Sequence, residues 1–251
     1  LRVLGLFPDR PAGYGRLAGM QEAGVEEAWP IPRTTWTKFY LHAEDNSLTT
    51  SPQKKKAEVT YAGLGEGVTF ITPPLEADTE VTGPIAAKLW VSSATKDADL
   101  FLVVRVFSAE MNEVVFQGAL DAHTPIANGW LRCSHRKLDP KETKPYRPWH
   151  SHDEKQPLQP GVPVEVDVEI WPTCIVVPPG YRLVLNVRGR DYEVDGSVAH
   201  VPFSPYPMKG VGPFLHTDPV DRPDAIFKTR NTLHFAPGKM PYVLLPVIPK
   251  A

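Results

Sequence analysis

The chain has 251 residues, 42% of them hydrophobic, and its 27 Lys and Arg nearly balance 29 Asp and Glu, which gives a formal net charge of −2. This length supports one large domain or two small ones, and the small net charge disfavours nucleic acid or anionic lipid as a partner. No apolar run reaches the roughly 18 residues of a membrane span, so we predict no membrane association. The first residue is Leu1 rather than Met, which we interpret as the start of a fragment.

The cysteines and prolines indicate a cytoplasmic, strand-rich protein. Cys133 and Cys174 lie in no C-x-x-C pair and near no His at ligand spacing, so zinc and thioredoxin-like chemistry lack support. Two thiols and one disulfide both remain open, because a disulfide needs Cα atoms within about 7 Å. The 28 prolines disfavour helices, and we expect them between the apolar runs rather than within them.

The first part of the chain differs from the rest. Residues 1–34 contain five glycines and no sustained hydrophobic period, so we expect a linker remnant there and a folded domain over 35–251. From Trp36 onward, short aromatic or β-branched runs alternate with clusters of Gly, Pro, Asn and Ser, the pattern of strands joined by turns. The predicted strands are residues 36–41, 57–61, 68–71, 84–93, 99–107, 164–171, 181–188 and 242–248.

The strand patterns predict how each strand is buried. Residues 164–171 alternate Val or Ile with acidic residues or Trp, which predicts one core face and one solvent face. Residues 99–107 are apolar at nearly every position, which predicts burial on both faces. Many short strands with almost no helix predict an all-β jelly-roll sandwich. Two long Pro-rich loops, 137–163 and 189–230, are where we expect specific contacts.

Several stretches together resemble one known family, the C-terminal jelly roll of the X-prolyl dipeptidyl-peptidase and cocaine-esterase (CocE/NonD) serine hydrolases. They are the central strand pair at 80–93 and 97–101, the domain entry at 29–41, the paired strands and turn at 160–183, and the closing strand at 231–249. They occur in the expected order along the chain. The resemblance implies a galactose-binding-domain-like fold.

The resemblance also implies a partner and an activity. In this family an α/β-hydrolase domain of the same polypeptide carries a Ser-Asp-His triad, and the jelly roll packs on it and helps wall the active site. The implied reaction is hydrolysis of esters, amides or X-Pro peptides through an acyl-enzyme. A nucleophile elbow needs G-x-S-x-G, and the nearest match, around Ser197, lacks both outer glycines. We therefore assign no catalytic residue and no cofactor to this chain. Homo-oligomerisation stays open.

The segment 149–153, with the sequence WHSHD, brings two histidines and a carboxylate close together in the chain. Alternate residues of an extended segment point the same way, so His150 and His152 could share a metal ion; no third His is close in sequence, and we commit to no metal site. The preferred alternatives are a solvated loop, or a docking or cleft-lining role for Tyr146, Trp149 and His150.

Two further pairs have alternative interpretations. Trp90 and Trp171 lie on predicted strands and could form a sugar-binding platform or pack against the hydrolase domain. Asp97 and Asp99 could hold calcium, but we favour capping at a strand end. The rival to the accessory-domain hypothesis is a stand-alone module that binds carbohydrate or another small ligand, because the fold alone does not decide function.

Overall fold

A computed structural model of the chain describes residues 26–116, 123–194, 210 and 215–249, which form an all-β sandwich. A 3₁₀ turn (Cys133–His135) and one short helix, α1 (Asp224–Phe227), accompany the strands. The strands are β1 (Thr35–Leu41), β2 (Leu48–Thr49), β3 (Ala57–Ala62), β4 (Val68–Ile71), β5 (Thr79–Ser93), β6 (Asp99–Phe107), β7 (Glu113–Val114), β8 (Ala127–Arg132), β9 (Val164–Val177), β10 (Arg182–Arg188), β11 (Arg230–Phe235) and β12 (Tyr242–Ile248).

The strands form two antiparallel sheets. The larger sheet has the order β2-β1-β12-β5-β11-β3, and β9 also pairs with β5. The smaller sheet has the order β4-β10-β6-β7, and β8 also pairs with β6. The all-β sandwich predicted from the sequence is confirmed.

One apolar core lies between the two sheets. Every second residue of β6, from Leu100 to Val106, belongs to it, and so do Leu89 of β5 and Ile170 of β9. Because such side chains are almost completely removed from water, each contributes about 1.5–3 kcal/mol of hydrophobic stabilisation.

Three prolines lie inside strands rather than between them, and two of these, Pro84 and Pro246, belong to strands that the sequence predicted. Pro84 of β5, Pro172 of β9 and Pro246 of β12 each lie at a point where the pairing register shifts. Proline cannot donate a ladder hydrogen bond, so a bulge is a place where a strand tolerates it. Gly83 belongs to the same irregularity: it has φ 144°, and a Cβ there would lie 2.9 Å from Cβ of Pro246.

Two longer strands, β8 and β11, lie outside the strands that hydrophobic periodicity predicted. β8 contains Asn128-Gly129, a dipeptide typical of turns, but a Cβ on Gly129 would lie only 2.3 Å from the carbonyl oxygen of Glu169. The glycine is therefore needed for close approach of β8 to β9, not for a turn. β11 begins where the predicted loop 189–230 ends, and β9 runs six residues beyond the predicted 164–171, to Val177.

Residues 26–34 pack against the sandwich. Ile31 is 2% exposed, and Arg33 pairs with Glu26 and donates a hydrogen bond to the carbonyl of Pro249. Cys133 and Cys174 do not form a disulfide, and burial raises the pKa of the Cys133 thiol. Among the described residues, no helix is long and apolar enough to cross a membrane.

Candidate binding groove

A groove opens where β8 and β9 meet. The two strands belong to different sheets, yet Gly129 lies directly against Glu169 and Ile170. The groove has a volume of about 520 Å³ and is lined by residues of β6, β8 and β9 and of the segments around His135, His150 and His216. This volume lies in the range of sites that hold small molecules.

Aromatic rings line one wall of the groove. Trp130 of β8 and Trp171 of β9 meet edge to face, with ring centroids 5.1 Å apart and an interplanar angle of 68°. The His216 ring lies 5.5 Å from Phe101 of β6, also edge to face. Trp171 is 62% exposed, so this indole offers its surface to whatever occupies the groove. Such rings bind apolar surfaces and still accept oriented polar contacts.

A buried carboxylate holds His216 in place. Asp191 accepts one hydrogen bond from the His216 backbone N–H at 2.6 Å and another from ring nitrogen Nδ1 at 3.0 Å. The Asp191 side chain is 4% exposed and that of His216 is 52% exposed. Nδ1 is thereby occupied, and Nε2 is the ring nitrogen directed away from Asp191.

The pair shifts both pKa values. Burial acts to raise the pKa of Asp191, but the hydrogen bonds and charge of His216, helped by a hydrogen bond from Trp130, hold that pKa below its ordinary value. The hydrogen bond to Asp191 raises the pKa of His216, with burial opposing and the Asp191 charge assisting. The result is an oriented imidazole that gains a proton more readily than a free one.

A second carboxylate, Asp99, anchors the groove. Arg132 donates to it through Nε at 2.8 Å, and Arg222 donates through Nε at 2.9 Å. Arg132 also pairs with Asp221 at 2.8 Å, and its hydrogen bonds to Asp99 raise its pKa despite partial burial. Arg222 further donates to the carbonyl of His216. The cluster thus connects β6 and β8 to the segment that carries His216.

Asp97 and Asp99, considered above for calcium binding or strand capping, have different hydrogen-bond partners. The carboxylate of Asp97 accepts backbone hydrogen bonds from Ala98 and Ser134, each 2.9 Å long. Asp99 is engaged by two guanidinium groups. The Asp97 carboxylate therefore binds backbone N–H groups at the start of β6 and in the 3₁₀ turn, as the capping interpretation predicts, whereas Asp99 forms ion pairs.

The loop 137–163 brings His150 and His152 to the groove, beside His135 of the 3₁₀ turn. Residues 138 and 150 pair as an antiparallel bridge, and Ser151 donates its backbone N–H to the carbonyl of Lys137. This ribbon places His135 opposite His152, with ring centroids 5.6 Å apart, while the His150 and His152 centroids are 6.1 Å apart. His135 lies 17 residues from His152, so no local motif could have indicated it.

The predicted site residues separate in the structure. His150 and Trp171 line the groove. Tyr146 stacks on Trp36 of β1 with centroids 4.5 Å apart. Trp149 is 47% exposed, with the Arg147 guanidinium over its ring. The five predicted residues therefore do not form one site.

Trp90 has a different environment. It is 7% exposed on β5, on the strand face opposite the core residues Leu89 and Val91. A ring so covered cannot serve as a sugar platform beside Trp171. The sequence analysis missed the groove residues Trp130, His135 and His216. Trp130 directly follows Asn128-Gly129, a dipeptide typical of turns.

Fold and groove together define a class: an all-β sandwich domain with an aromatic, histidine-rich groove where its sheets meet. Residues 13–243 match the family model described as the X-Pro dipeptidyl-peptidase C-terminal non-catalytic domain. The chain belongs to this family.

The relatives are longer proteins. A CocE/NonD family hydrolase from Staphylococcus aureus superposes with a TM-score of 0.75 at 26% identity, covering 90% of this chain and 39% of that one. A Mycobacterium bovis protein that carries the name of a serine esterase is 25% identical over 66% of this chain and 30% of that protein. An archaeal aminopeptidase at 14% identity and a TM-score of 0.58 shares the fold. The chain thus spans well under half the length of these relatives.

Proposed function

We propose that the chain is the C-terminal domain of a serine hydrolase of the X-Pro dipeptidyl-peptidase or acyl-esterase type. It packs on an α/β-hydrolase domain of the same polypeptide and helps wall that domain's active site. The family match over residues 13–243 and the hydrolase names of the longer relatives support the proposal. In this arrangement the nucleophile, base and oxyanion donors belong to the hydrolase domain.

The observation that carries the proposed contact is the exposed wall of the groove. Trp171 presents a 62% exposed indole beside Trp130 and the oriented His216. Aromatic residues of this kind are enriched at interfaces, because they bury a large area and still offer a polar edge. The proposal therefore assigns this wall, rather than the Trp36–Tyr146 stack, to the active-site side.

The first experiment compares the chain alone with a polypeptide that also contains the hydrolase domain. Each is assayed for p-nitrophenyl acetate hydrolysis, with and without a fluorophosphonate serine probe. We expect activity and labelling only in the longer polypeptide. Labelling of the chain alone would mean that it carries its own nucleophile and would overturn the proposal.

The second experiment tests the groove. In the longer polypeptide, Trp171→Ala is expected to lower kcat/KM by about tenfold, the effect of losing about 1.4 kcal/mol of transition-state binding. Trp149→Ala is the matched control, because Trp149 is 47% exposed and does not line the groove. If Trp171→Ala and Trp149→Ala lower kcat/KM equally, the groove is not part of the active-site wall.

A stand-alone binding module is the second candidate function. A concave groove of about 520 Å³ with an exposed Trp is also the geometry expected of a site for a sugar or another small ring. Titration of the chain with mono- and disaccharides, followed by Trp fluorescence, tests this function. Saturable binding that Trp171→Ala abolishes would favour it.

A further inference from the structure

Two histidine rings of the groove, His135 and His152, face each other through their Nδ1 atoms. Nδ1 of His135 and Nδ1 of His152 are 3.4 Å apart, which is long for a hydrogen bond whose usual donor-acceptor distance is about 2.9–3.0 Å. Two nitrogens that bind one tetrahedral Zn²⁺ at about 2.05 Å lie about 3.3 Å from each other. The observed separation of the two Nδ1 atoms is close to this ligand spacing.

The ring positions agree with the same arrangement. Centres of two imidazoles on one tetrahedral Zn²⁺ lie about 5.2 Å apart. The centroids of His135 and His152 are 5.6 Å apart, and those of His150 and His152 are 6.1 Å apart. The first pair is close to the ligand spacing, and the third ring lies slightly farther out.

We propose that His135 and His152 form a two-histidine chelate for a divalent late transition ion such as Zn²⁺, with His150 as the adjacent ring that completes the ligand set when it turns. Among the described residues, no group of three His, Cys, Asp or Glu side chains is already arranged to hold a metal ion. The proposed chelate therefore depends on two rings, those of His135 and His152, that already lie close together. Water or a partner group takes any remaining position.

A hydrogen bond to the backbone orients the His150 ring for its role as a further ligand. Its Nε2 lies 3.0 Å from the carbonyl oxygen of Asp167; a carbonyl can only accept, so Nε2 carries the proton and Nδ1 has the free lone pair. A backbone carbonyl on the far nitrogen is the usual support of a metal-binding imidazole.

The backbone holds the two chelating rings together. His135 ends the 3₁₀ turn that follows β8. His152 has φ 52°, a left-handed conformation uncommon for a residue with a side chain. Lys137 pairs with Asp153 and Glu154 at 3.0 Å each, which ties the two segments side by side. Glu169 lines the same groove and adds negative charge, which attracts a cation; Asp221 of the groove is paired with Arg132.

Isothermal titration of the chain with ZnCl₂ and CoCl₂ tests the proposal. We expect one saturable site per chain. His135→Asn with His152→Asn should weaken binding by at least about tenfold, because even the loss of an outer-shell partner costs 10–100-fold. His42→Asn is the matched control, since His42 bonds Thr49 and Ser51 outside the groove and its loss should leave the affinity unchanged.

A second measurement needs no variant. Metal competes with protons for the imidazole nitrogens, so the affinity of the unaltered chain for metal should fall as the pH is lowered. The proposal is overturned if no saturable binding occurs below about 1 mM metal, if the double substitution binds as tightly as the original chain, or if the affinity is independent of pH between 5 and 7. None of these outcomes depends on hydrolase activity, so the chelate and the proposed function can fail separately.

Discussion

Strands β6, β8 and β9 each have two faces, and the comparison between these faces shows two ways of stabilising the same strands. The inner face consists of core residues that include Leu100, Leu131 and Ile170. Their sequence neighbours Phe101, Trp130 and Trp171 line the groove on the outer face. Adjacent positions of one strand therefore direct their side chains to opposite faces.

The difference lies in how specific the partners must be. Inner-face residues need apolar neighbours of suitable volume, which many side chains can supply. On the outer face, Asp99 requires Arg132 and Arg222, and Asp191 requires His216. A buried charge without its partner is strongly destabilising. The outer face is thus as sensitive to substitution as the core, although for an electrostatic reason.

The largest expected effect tests this equivalence directly. Asp99→Asn leaves two guanidinium groups without their shared carboxylate, and we expect a loss of about 3–5 kcal/mol in the free energy of unfolding. Asp221→Asn is the control: its side chain is 56% exposed, so we expect less than about 1 kcal/mol. Urea denaturation measures both. If the two losses are similar, the outer face is less demanding than the core.

The junction between the faces gives the next effect. In Gly129→Ala, the added Cβ would lie 2.3 Å from the Glu169 carbonyl oxygen and 2.8 Å from Cγ1 of Ile170. Separating β8 from β9 should cost about 1–3 kcal/mol. In Gly238→Ala the new Cβ meets nothing within 4 Å, but φ is 79°, so only backbone strain of about 1 kcal/mol is expected. Thermal unfolding of both variants separates steric overlap from strain, and equal losses would contradict the close approach of β8 and β9.

The Asp191–His216 pair predicts a dependence on pH. The pKa of His216 is raised, so its contribution to stability is fully present below the unfolded value of about 6.5 and is lost as pH rises through the folded value. The pKa of Asp191 is lowered, so its contribution is present above about 3.9 and is lost as pH falls through the folded value. The pair is therefore strongest between about pH 4 and 6.5.

His216→Asn tests that window. The loss in the free energy of unfolding caused by the substitution should be larger at pH 6 than at pH 9. The difference between the two pH values should be less than about 1 kcal/mol, because the His216 side chain is 52% exposed and water screens its charge. The imidazole proton resonance of His216, followed by NMR, should titrate above about 6.5. A midpoint at or below that value would show that Asp191 does not support the ring.

Much of the fold could be predicted because strand periodicity reports burial. β4, β6 and β12 have the predicted bounds, since their β-branched and aromatic residues meet clear turn signals at both ends. β8 was missed because Gly129 serves an approach between strands that are distant in sequence. The predicted end of β9 at residue 171 was wrong for a related reason, because only the pairing register shows that Pro172 needs no ladder hydrogen bond.

The site was less predictable than the fold. Trp171 and His150 belong to local motifs that attracted attention, and both line the groove. His135 and His216 are brought there by the 138–150 bridge and by Asp191, contacts that no short sequence window contains. Trp90 shows the reverse case, because a strand pattern cannot reveal that an outward-facing ring is covered by other parts of the chain.

The smallest expected effect concerns the outer-face residue that is most exposed. Trp171→Ala in the chain alone should change the free energy of unfolding by less than about 0.5 kcal/mol, because the indole is 62% exposed and its main neighbour is the edge of Trp130. Urea denaturation checks this value, and Trp149→Ala provides a second exposed indole for comparison. If Trp171 serves a partner or ligand rather than the fold, its loss is harmless in the chain alone and becomes apparent only when the groove is occupied. A loss above about 1.5 kcal/mol would place Trp171 among the residues that hold β8 to β9, and the outer face would then be structural throughout.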